Sequence, residues 1–266
     1  MEKMNFEHNS FGKRLGSMLK VDFRRMFTMP LLYIMVGSCL VMPILILVMT
    51  TMMDGSVSVN PQTGVETVVE GFENTWQAIG SVSGTAMSMD LTSMCNINML
   101  YFFVAVLVGL FVSQDFRSGY AKNLFTVRAK KGDYIIAKTL VGFVGGALML
   151  IAYFIGTILG GAISGLSFDT GTAGVSGIVM CMIAKIFLIL VFVAIDLLVS
   201  VAAKQKTWLS IVGSLCAGML LFTMIPMITP LNSTMMNVML CLAGGILFSV
   251  GLGAISNIVL KKTSLV

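Results

Sequence analysis

Residues 30–53 of the chain read PLLYIMVGSCLVMPILILVMTTMM and contain no charged side chain. A helix of about 20 apolar residues crosses a bilayer core about 30 Å thick, so this stretch is long enough to span a membrane. Five further segments meet the same requirement, and they are residues 93–113, 139–163, 177–202, 208–228 and 236–260. Lipid offers no hydrogen-bond partners to backbone groups, which favours helices. The sequence therefore predicts an all-α polytopic membrane protein with six transmembrane helices.

The composition of the whole chain points to the same class. Of its 266 residues, 57% are hydrophobic and 11% are charged, whereas soluble domains carry about 25% charged residues. The net charge of +5 follows from the membrane topology described next, so we expect no nucleic-acid partner.

Positive charge is unevenly distributed among the connections. Sixteen of the 17 Lys and Arg side chains lie in residues 1–29, 114–138 and 204–206 or in the tail at Lys261 and Lys262. The remaining connections carry acidic side chains or no charge. Because Lys and Arg accumulate in cytoplasmic loops, we expect both termini and residues 114–138 in the cytoplasm, and residues 54–92 as an extracellular loop.

Residues 1–29 are expected to form a cytoplasmic amphipathic interfacial helix ahead of the six-helix transmembrane domain of residues 30–266. Apolar side chains recur there at helical spacing, with basic side chains on the opposite arc. The apolar set is Phe11, Leu15, Met18, Leu19, Phe23 and Met26, and the basic set is Lys13, Arg14, Lys20, Arg24 and Arg25. The alternative is a basic tail that only anchors the topology. Asp22 lies on the apolar arc, which suggests a protein partner there.

The extracellular loop contains a second set of apolar residues three or four positions apart. They are Val65, Val68, Val69, Phe72, Trp76 and Ile79. This spacing predicts an external amphipathic helix, which would either cap the extracellular mouth or rest on lipid headgroups.

Two charged side chains, Lys185 and Asp196, lie within the fourth apolar segment. They share a helical face but are about 16 Å apart along the axis at 1.5 Å per residue, too far for a direct ion pair. Charged residues inside a membrane are candidates for a transport pathway or for holding a bundle together. The alternative is that Lys185 snorkels outward and Asp196 pairs with a basic cytoplasmic residue.

The chain carries no motif that predicts catalysis. GVSG at residues 174–177 matches a serine-protease pattern, but the only histidine, His8, lies in the polar N-terminal end. The five cysteines lack the CxxC spacing of metal sites, and no phosphate-binding loop is present. We therefore expect a protein that is not an enzyme and binds no cofactor or metal, with any ATP hydrolysis on a separate subunit.

The charged stretch QDFRSGYAKNLFTVRAKKGDYIIAK at residues 114–138 separates the second and third apolar segments. Tyr120, Leu124 and Val127 recur at spacings of four and three, which predicts a short amphipathic helix bounded by Gly119 and the basic turn RAKKGD. A solvated loop does not need such an apolar stripe, whereas a docking element does.

This stretch resembles the corresponding loop of the permease subunits of ABC type-two transporters, nearest to bacterial peptide and drug exporters. In that family the loop carries an acidic residue, a glycine turn, a short helix, a basic residue and a lysine that opens the third membrane helix. The matching positions are Asp115, Gly119, residues 120–127, Arg128 and Lys138. The resemblance extends to the N-terminal helix, the six spans and the proline-bearing IPMITPLN at residues 225–232.

The resemblance implies a transmembrane subunit of an ATP-driven exporter in a bacterial cell membrane. Residues 114–138 would form a coupling loop that contacts a separate ABC ATPase, which binds ATP and Mg, through Asp115, Gly119, Tyr120, Leu124, Val127 and Arg128. A second permease copy and membrane lipid would be further partners, and small amphipathic peptides or hydrophobic drugs the cargo. The alternative function is an ATP-independent channel or secondary transporter.

Overall fold

Helices form most of the chain in the computed structural model, which describes residues 11–59, 66–68, 71–80, 96–126, 130–222 and 224–262. The α-helices are α1 (Phe11–Thr28), α2 (Pro30–Met53), α3 (Leu100–Arg117), α4 (Tyr120–Thr126), α5 (Lys131–Ser164), α6 (Gly174–Ala203), α7 (Thr207–Phe222), α8 (Ile225–Ile228) and α9 (Met235–Lys262). Two short strands, β1 (Val57–Val59) and β2 (Glu66–Val68), and two 3-10 helices, Thr75–Ala78 and Ile97–Met99, complete the described elements.

Five of the described helices are long and apolar enough to cross a membrane, namely α2, α3 with the 3-10 turn before it, α5, α6 and α9. Together with the composition, they make the chain a multi-pass helical membrane protein. These helices confirm five of the predicted spans, with ends shifted by up to eight residues at α5.

The fifth predicted span, residues 208–228, is not one long helix. It divides into α7, with 16 residues, and α8, with four. Pro226 lies in the first turn of α8. A proline has no N–H to donate and its ring clashes with the preceding turn, so it starts a new helix more readily than it continues an old one. The prediction of six uninterrupted spans is therefore wrong at this position.

The bundle is built around α5 and α6, with α2 packed on α5 and α9 packed on α6. Small residues form both contacts. Gly156 and Gly160 of α5 face Leu40 and Ile44 of α2, and Gly245 of α9 faces α6. Glycines allow helix axes to approach closely where no hydrophobic effect drives association in lipid.

The two ends of the bundle differ in character. At one end, called the basic end here, α1 lies against the start of α5, and Lys131 Nζ donates to the carbonyl oxygen of Leu260 near the end of α9, 2.6 Å away. At the other end, called the hairpin end, β1 and β2 pair as an antiparallel hairpin with Val57 opposite Val68.

The prediction of an external amphipathic helix is wrong. Glu66–Val68 is a strand, and in the described residues 71–80 only Thr75–Ala78 form a helical turn, of the 3-10 type. Val65 and Val69 lie outside the described residues. The run VETVV is rich in β-branched side chains, which are stiff and favour strands.

The apolar residues of this segment nevertheless cap the bundle. Phe72 and Ile79 are buried, and Phe72 packs with Leu47 of α2. Trp76 stacks on Phe154 and donates its indole N–H to the carbonyl oxygen of Phe168, 3.1 Å away. Of the two alternatives for the predicted extracellular loop, this arrangement favours a cap over a helix resting on headgroups.

The N-terminal segment is helical from Phe11 to Thr28, and residues 1–10 lie outside the described part of the chain. It buries Met18, Asp22 and Met26 at helical spacing. Phe11 remains half exposed, so α1 combines an exposed surface with a face packed on the bundle.

Candidate functional site: a buried charge cluster

Four charged side chains meet where α1, α3 and α5 converge at the basic end, and they form the charge cluster: Asp22 and Arg25 of α1, Asp115 of α3 and Lys138 of α5. Lys138 Nζ lies 2.9 Å from Asp22 Oδ1 and 2.7 Å from Asp115 Oδ2. Both carboxylates are fully buried, and Lys138 is 2% exposed. The lysine is therefore held between two carboxylates from different helices.

Arg25 supplies the second positive charge. Its Nη1 lies 2.7 Å from Asp115 Oδ1 and 3.7 Å from Asp22 Oδ1. The hydroxyl of Tyr134 donates to Asp115 Oδ2, 3.0 Å away. Burying an unpaired charge costs several kcal/mol, but two cations and two anions at these distances compensate each other. The cluster can thus lie inside the protein.

Aromatic rings cover both cations. Lys138 Nζ is 3.9 Å from the ring centroid of Phe111, and Arg25 Cζ is 4.1 Å from that of Tyr120. Cations over aromatic faces are attracted by about 0.5–2 kcal/mol. Since Tyr120 is the first residue of α4, the stacking on Arg25 links α4 directly to the cluster.

Burial affects the proton affinity of the groups outside the membrane spans. Desolvation raises the pKa of Asp22 above its ordinary value, while the nearby Lys138 ammonium opposes that rise. Burial also raises the pKa of the Tyr120 phenol, and the Asp22 carboxylate adds to the shift. Lys138 and Arg25 therefore stabilise the ionised form of Asp22 at this buried position.

The short helix α4 confirms that residues after Gly119 form a helix. Gly119 has φ +72, a left-handed conformation that favours glycine. Leu124 is half buried against the core of the bundle, as is Phe125, whose ring meets Tyr134 edge-on at 5.4 Å. The described part of the predicted stripe is thus not a free docking surface. Val127 and Arg128 lie outside the described residues.

The outward face of α4 is polar. Lys122, Asn123 and Thr126 are exposed, and Lys122 is the charged side chain among them. A partner that approaches the basic end would meet these side chains first and would contact Leu124 only at its exposed edge.

Lys185 lies far from the charge cluster, in the half of α6 nearer the hairpin end. It is fully buried, and its Nζ donates to Asn98 Oδ1 at 2.7 Å and to Thr229 Oγ1 at 2.9 Å. Its own carbonyl oxygen accepts from the hydroxyl of Tyr101, 2.9 Å away. Lys185 therefore joins α6 to the start of α3 and to the segment after α8, and it does not snorkel.

Asp196 lies in the other half of α6 and is 1% exposed. Within the described ranges it forms no ion pair, so the structure does not join it to a basic residue. The two charges predicted within α6 thus occupy separate environments, and neither belongs to the charge cluster.

Sequence reasoning identified part of the cluster. The family resemblance placed Asp115 and Lys138 in one pattern, and the position of Asp22 suggested a protein partner. In the structure Asp22 pairs with Lys138 of the same chain. Sequence reasoning placed Arg25 on the solvent arc of α1, which is wrong, because the long side chain turns inward to Asp115. The signal for the inward turn was Asp22, three residues before Arg25 on the buried face.

The part of the chain that the structure describes contains no group of three or more His, Cys, Asp or Glu side chains that could hold a metal ion. The chain matches no protein family, no curated protein and no solved structure. The arguments for function therefore rest on the geometry of the cluster and on the sequence.

Proposed function

We propose that the chain is the transmembrane permease subunit of an ATP-driven ABC exporter in a bacterial cell membrane. The observation that carries the proposal is the link between α4 and the charge cluster. A short helix between two membrane helices, with a polar outer face, is tied through Tyr120 to Arg25 and thereby to Asp115 and Lys138. A force applied to α4 would reach α1, α3 and α5 together.

The remaining parts of the proposal follow from the resemblance and from charge. The basic end faces the cytoplasm, where a separate ATPase subunit binds ATP and Mg and contacts α4. A second permease copy completes the transport pathway, and the cargo is a small amphipathic peptide or a hydrophobic drug. Buried Lys185 and Asp196 are the observation that favours the second candidate, an ATP-independent channel or secondary transporter.

The test is co-purification of the tagged chain with an ABC ATPase from the membranes of its own host, identified by mass spectrometry. Lys122→Glu reverses the charge on the exposed face of α4 while leaving the cluster intact. We expect it to lower the amount of bound ATPase about fivefold, the equivalent of about 1 kcal/mol.

The matched control is Lys206→Glu, which reverses an exposed charge in the link between α6 and α7 and should leave binding unchanged. If the purified chain binds no ATPase and transports cargo in vesicles without ATP, the second candidate function is the correct one.

A further inference from the structure

A set of polar side chains lies on the contact between α6 and α7. Asp196 and Ser200 are one turn apart on α6, and Ser210 and Ser214 are one turn apart on α7. The hydroxyls of Ser200 and Ser210 are 2.6 Å apart and hydrogen bonded to each other. The other pair, Asp196 and Ser214, lies on the neighbouring turn, with the Ser214 hydroxyl facing the Asp196 carboxyl group. All four side chains are buried.

Two atoms of this set lack a hydrogen-bond partner among the described residues, Asp196 Oδ2 and Ser214 Oγ. The helices packed on α6 carry charged or titratable groups in the same half of the bundle, including Asp115, Arg117, Tyr134, Lys138, Cys216 and Lys261. Within the described ranges, none of them forms an ion pair with Asp196. The carboxyl group is thus buried within a membrane span, with no cation of the described chain beside it.

A bare carboxylate in such a place is strongly unfavourable, because an ion transferred from water to an apolar medium loses its solvation. Something must neutralise it. Hard metal ions such as Ca²⁺ or Mg²⁺ take about six oxygen ligands, whereas this site offers one carboxyl group and one free hydroxyl, since Ser200 and Ser210 bind each other. A proton needs a single oxygen.

We propose that Asp196 is a proton-binding site that is loaded in this conformation. Loading takes place while α7 is separated from α6. A hydronium ion from the basic end, about 10 Å away along the helix at 1.5 Å per residue, gives up its proton: one of its O–H bonds breaks, an O–H bond forms on the Asp196 carboxylate, and a water molecule is left. The neutral carboxyl group and the Ser214 hydroxyl then complete the polar contact between α6 and α7.

Release of the proton would have a mechanical consequence. The resulting carboxylate requires water, and water can reach it only if α7 moves away from α6. Proton release and helix separation are therefore linked: whichever conformation exposes Asp196 also favours loss of the proton. This inference concerns the chain itself and does not depend on an ATPase partner.

Dicyclohexylcarbodiimide tests the proposal, because it adds to protonated carboxyl groups in apolar surroundings and leaves a stable acylurea. The purified full-length chain is treated in lipid nanodiscs across a pH series, and adducts are located by mass spectrometry. At neutral pH we expect adduct on Asp196 and little or none on Asp115. Asp115 is equally buried but ion paired. The adduct on Asp196 should disappear in alkaline buffer.

A second arm replaces choline by sodium in the buffer at constant ionic strength. If sodium protected Asp196 from the carbodiimide, a bound metal ion would be indicated and the proposal would be wrong. The third arm uses Asp196→Asn, a neutral isostere of the protonated acid. It should unfold within a few degrees of the unmodified protein, whereas Asp115→Asn should unfold well below it. Absence of an adduct together with a large loss of stability in Asp196→Asn would show that Asp196 is ionised, and the proposal would be wrong.

Discussion

The Lys138 ammonium group has carboxylate oxygens on two sides and the ring of Phe111 on a third. Asp22 contributes one of these contacts from α1, and Asp115 and Phe111 contribute the other two from successive turns of α3. Removal of a single partner from such an arrangement leaves an uncompensated charge inside the protein, which costs more than the intact pair contributes. The stability of the basic end should therefore depend on the cluster as a unit.

The first residue-scale prediction concerns Lys138→Met, which removes the charge but keeps most of the volume. Asp22 and Asp115 would then share Arg25 alone, so we expect a loss of about 3–5 kcal/mol in the free energy of unfolding. Denaturant unfolding in lipid micelles measures it. Lys122→Met, an exposed lysine on α4, is the control and should change stability by less than about 0.5 kcal/mol.

The double variant Asp115→Asn with Lys138→Met sharpens the test, because it removes one anion and one cation together. We expect it to be more stable than the sum of the two single changes predicts, since contacting residues couple. Strict additivity would mean that the two side chains do not act as a pair.

Single residues also show what the sequence could and could not reveal. Asp22 on an apolar arc, and Lys138 at the start of an apolar run, each signal a buried partner, because no charge remains unpaired in such places. The inward turn of Arg25 was missed despite the signal from Asp22 three residues earlier, because a long flexible side chain can leave the arc on which its Cα lies. Spacing locates backbones, whereas the pairing of Arg25 depends on Asp115, which is 90 positions away in the chain.

At the scale of elements, the contact between α2 and α5 depends on missing side chains. Gly156 lies against the carbonyl oxygen of Leu40 and the ring of Pro43. A Cβ atom added to Gly160 would lie only 2.9 Å from Ile44 Cα. The close approach increases van der Waals packing, which holds the two helices together because the hydrophobic effect does not act between helices in lipid.

We expect Gly156→Ala to weaken the contact between α2 and α5, because the new methyl group would collide with backbone that cannot move aside. Overpacking of this kind costs about 1–3 kcal/mol, and the thermal midpoint in detergent should fall accordingly. Gly37→Ala on α2 is the matched control, since a methyl group there meets no atom within 4 Å. Equal midpoints for the two variants would exclude tight packing at Gly156.

The elements differ in how well the sequence predicted them. The long apolar helices were predictable because length and hydropathy alone decide whether a segment can span a bilayer. Pro226 was a signal for the break before α8. The prediction missed it because residues 208–228 are predominantly apolar and long enough for one span. The strand β2 was missed because a spacing of three or four and an alternation of two coincide over a short valine-rich run.

At the scale of the whole molecule, the distribution of charge distinguishes the two ends. The basic end holds the charge cluster, α4 and the terminal lysines, whereas the described part of the hairpin end carries acidic residues such as Asp54 and Asp169. The positive-inside rule predicts that the basic end faces the cytoplasm.

Cysteine labelling tests this orientation in intact cells. In a background without the native cysteines, Val57→Cys in the hairpin should react with an impermeant maleimide added outside. Lys130→Cys, exposed before α5, should react only after the membrane is permeabilised. The reverse pattern would invert the orientation and would place α4 out of reach of a cytoplasmic ATPase.

The charge cluster also imposes an order on the synthesis of the protein. Asp22 and Arg25 emerge from the ribosome early, but Lys138 follows 116 residues after Asp22. Until α5 has entered the membrane, α1 can pair with α3 through Arg25 and Asp115, but both carboxylates lack the lysine. A nascent chain that stalls before α5 therefore holds two carboxylates against one cation, and only the arrival of α5 balances the charge of the cluster.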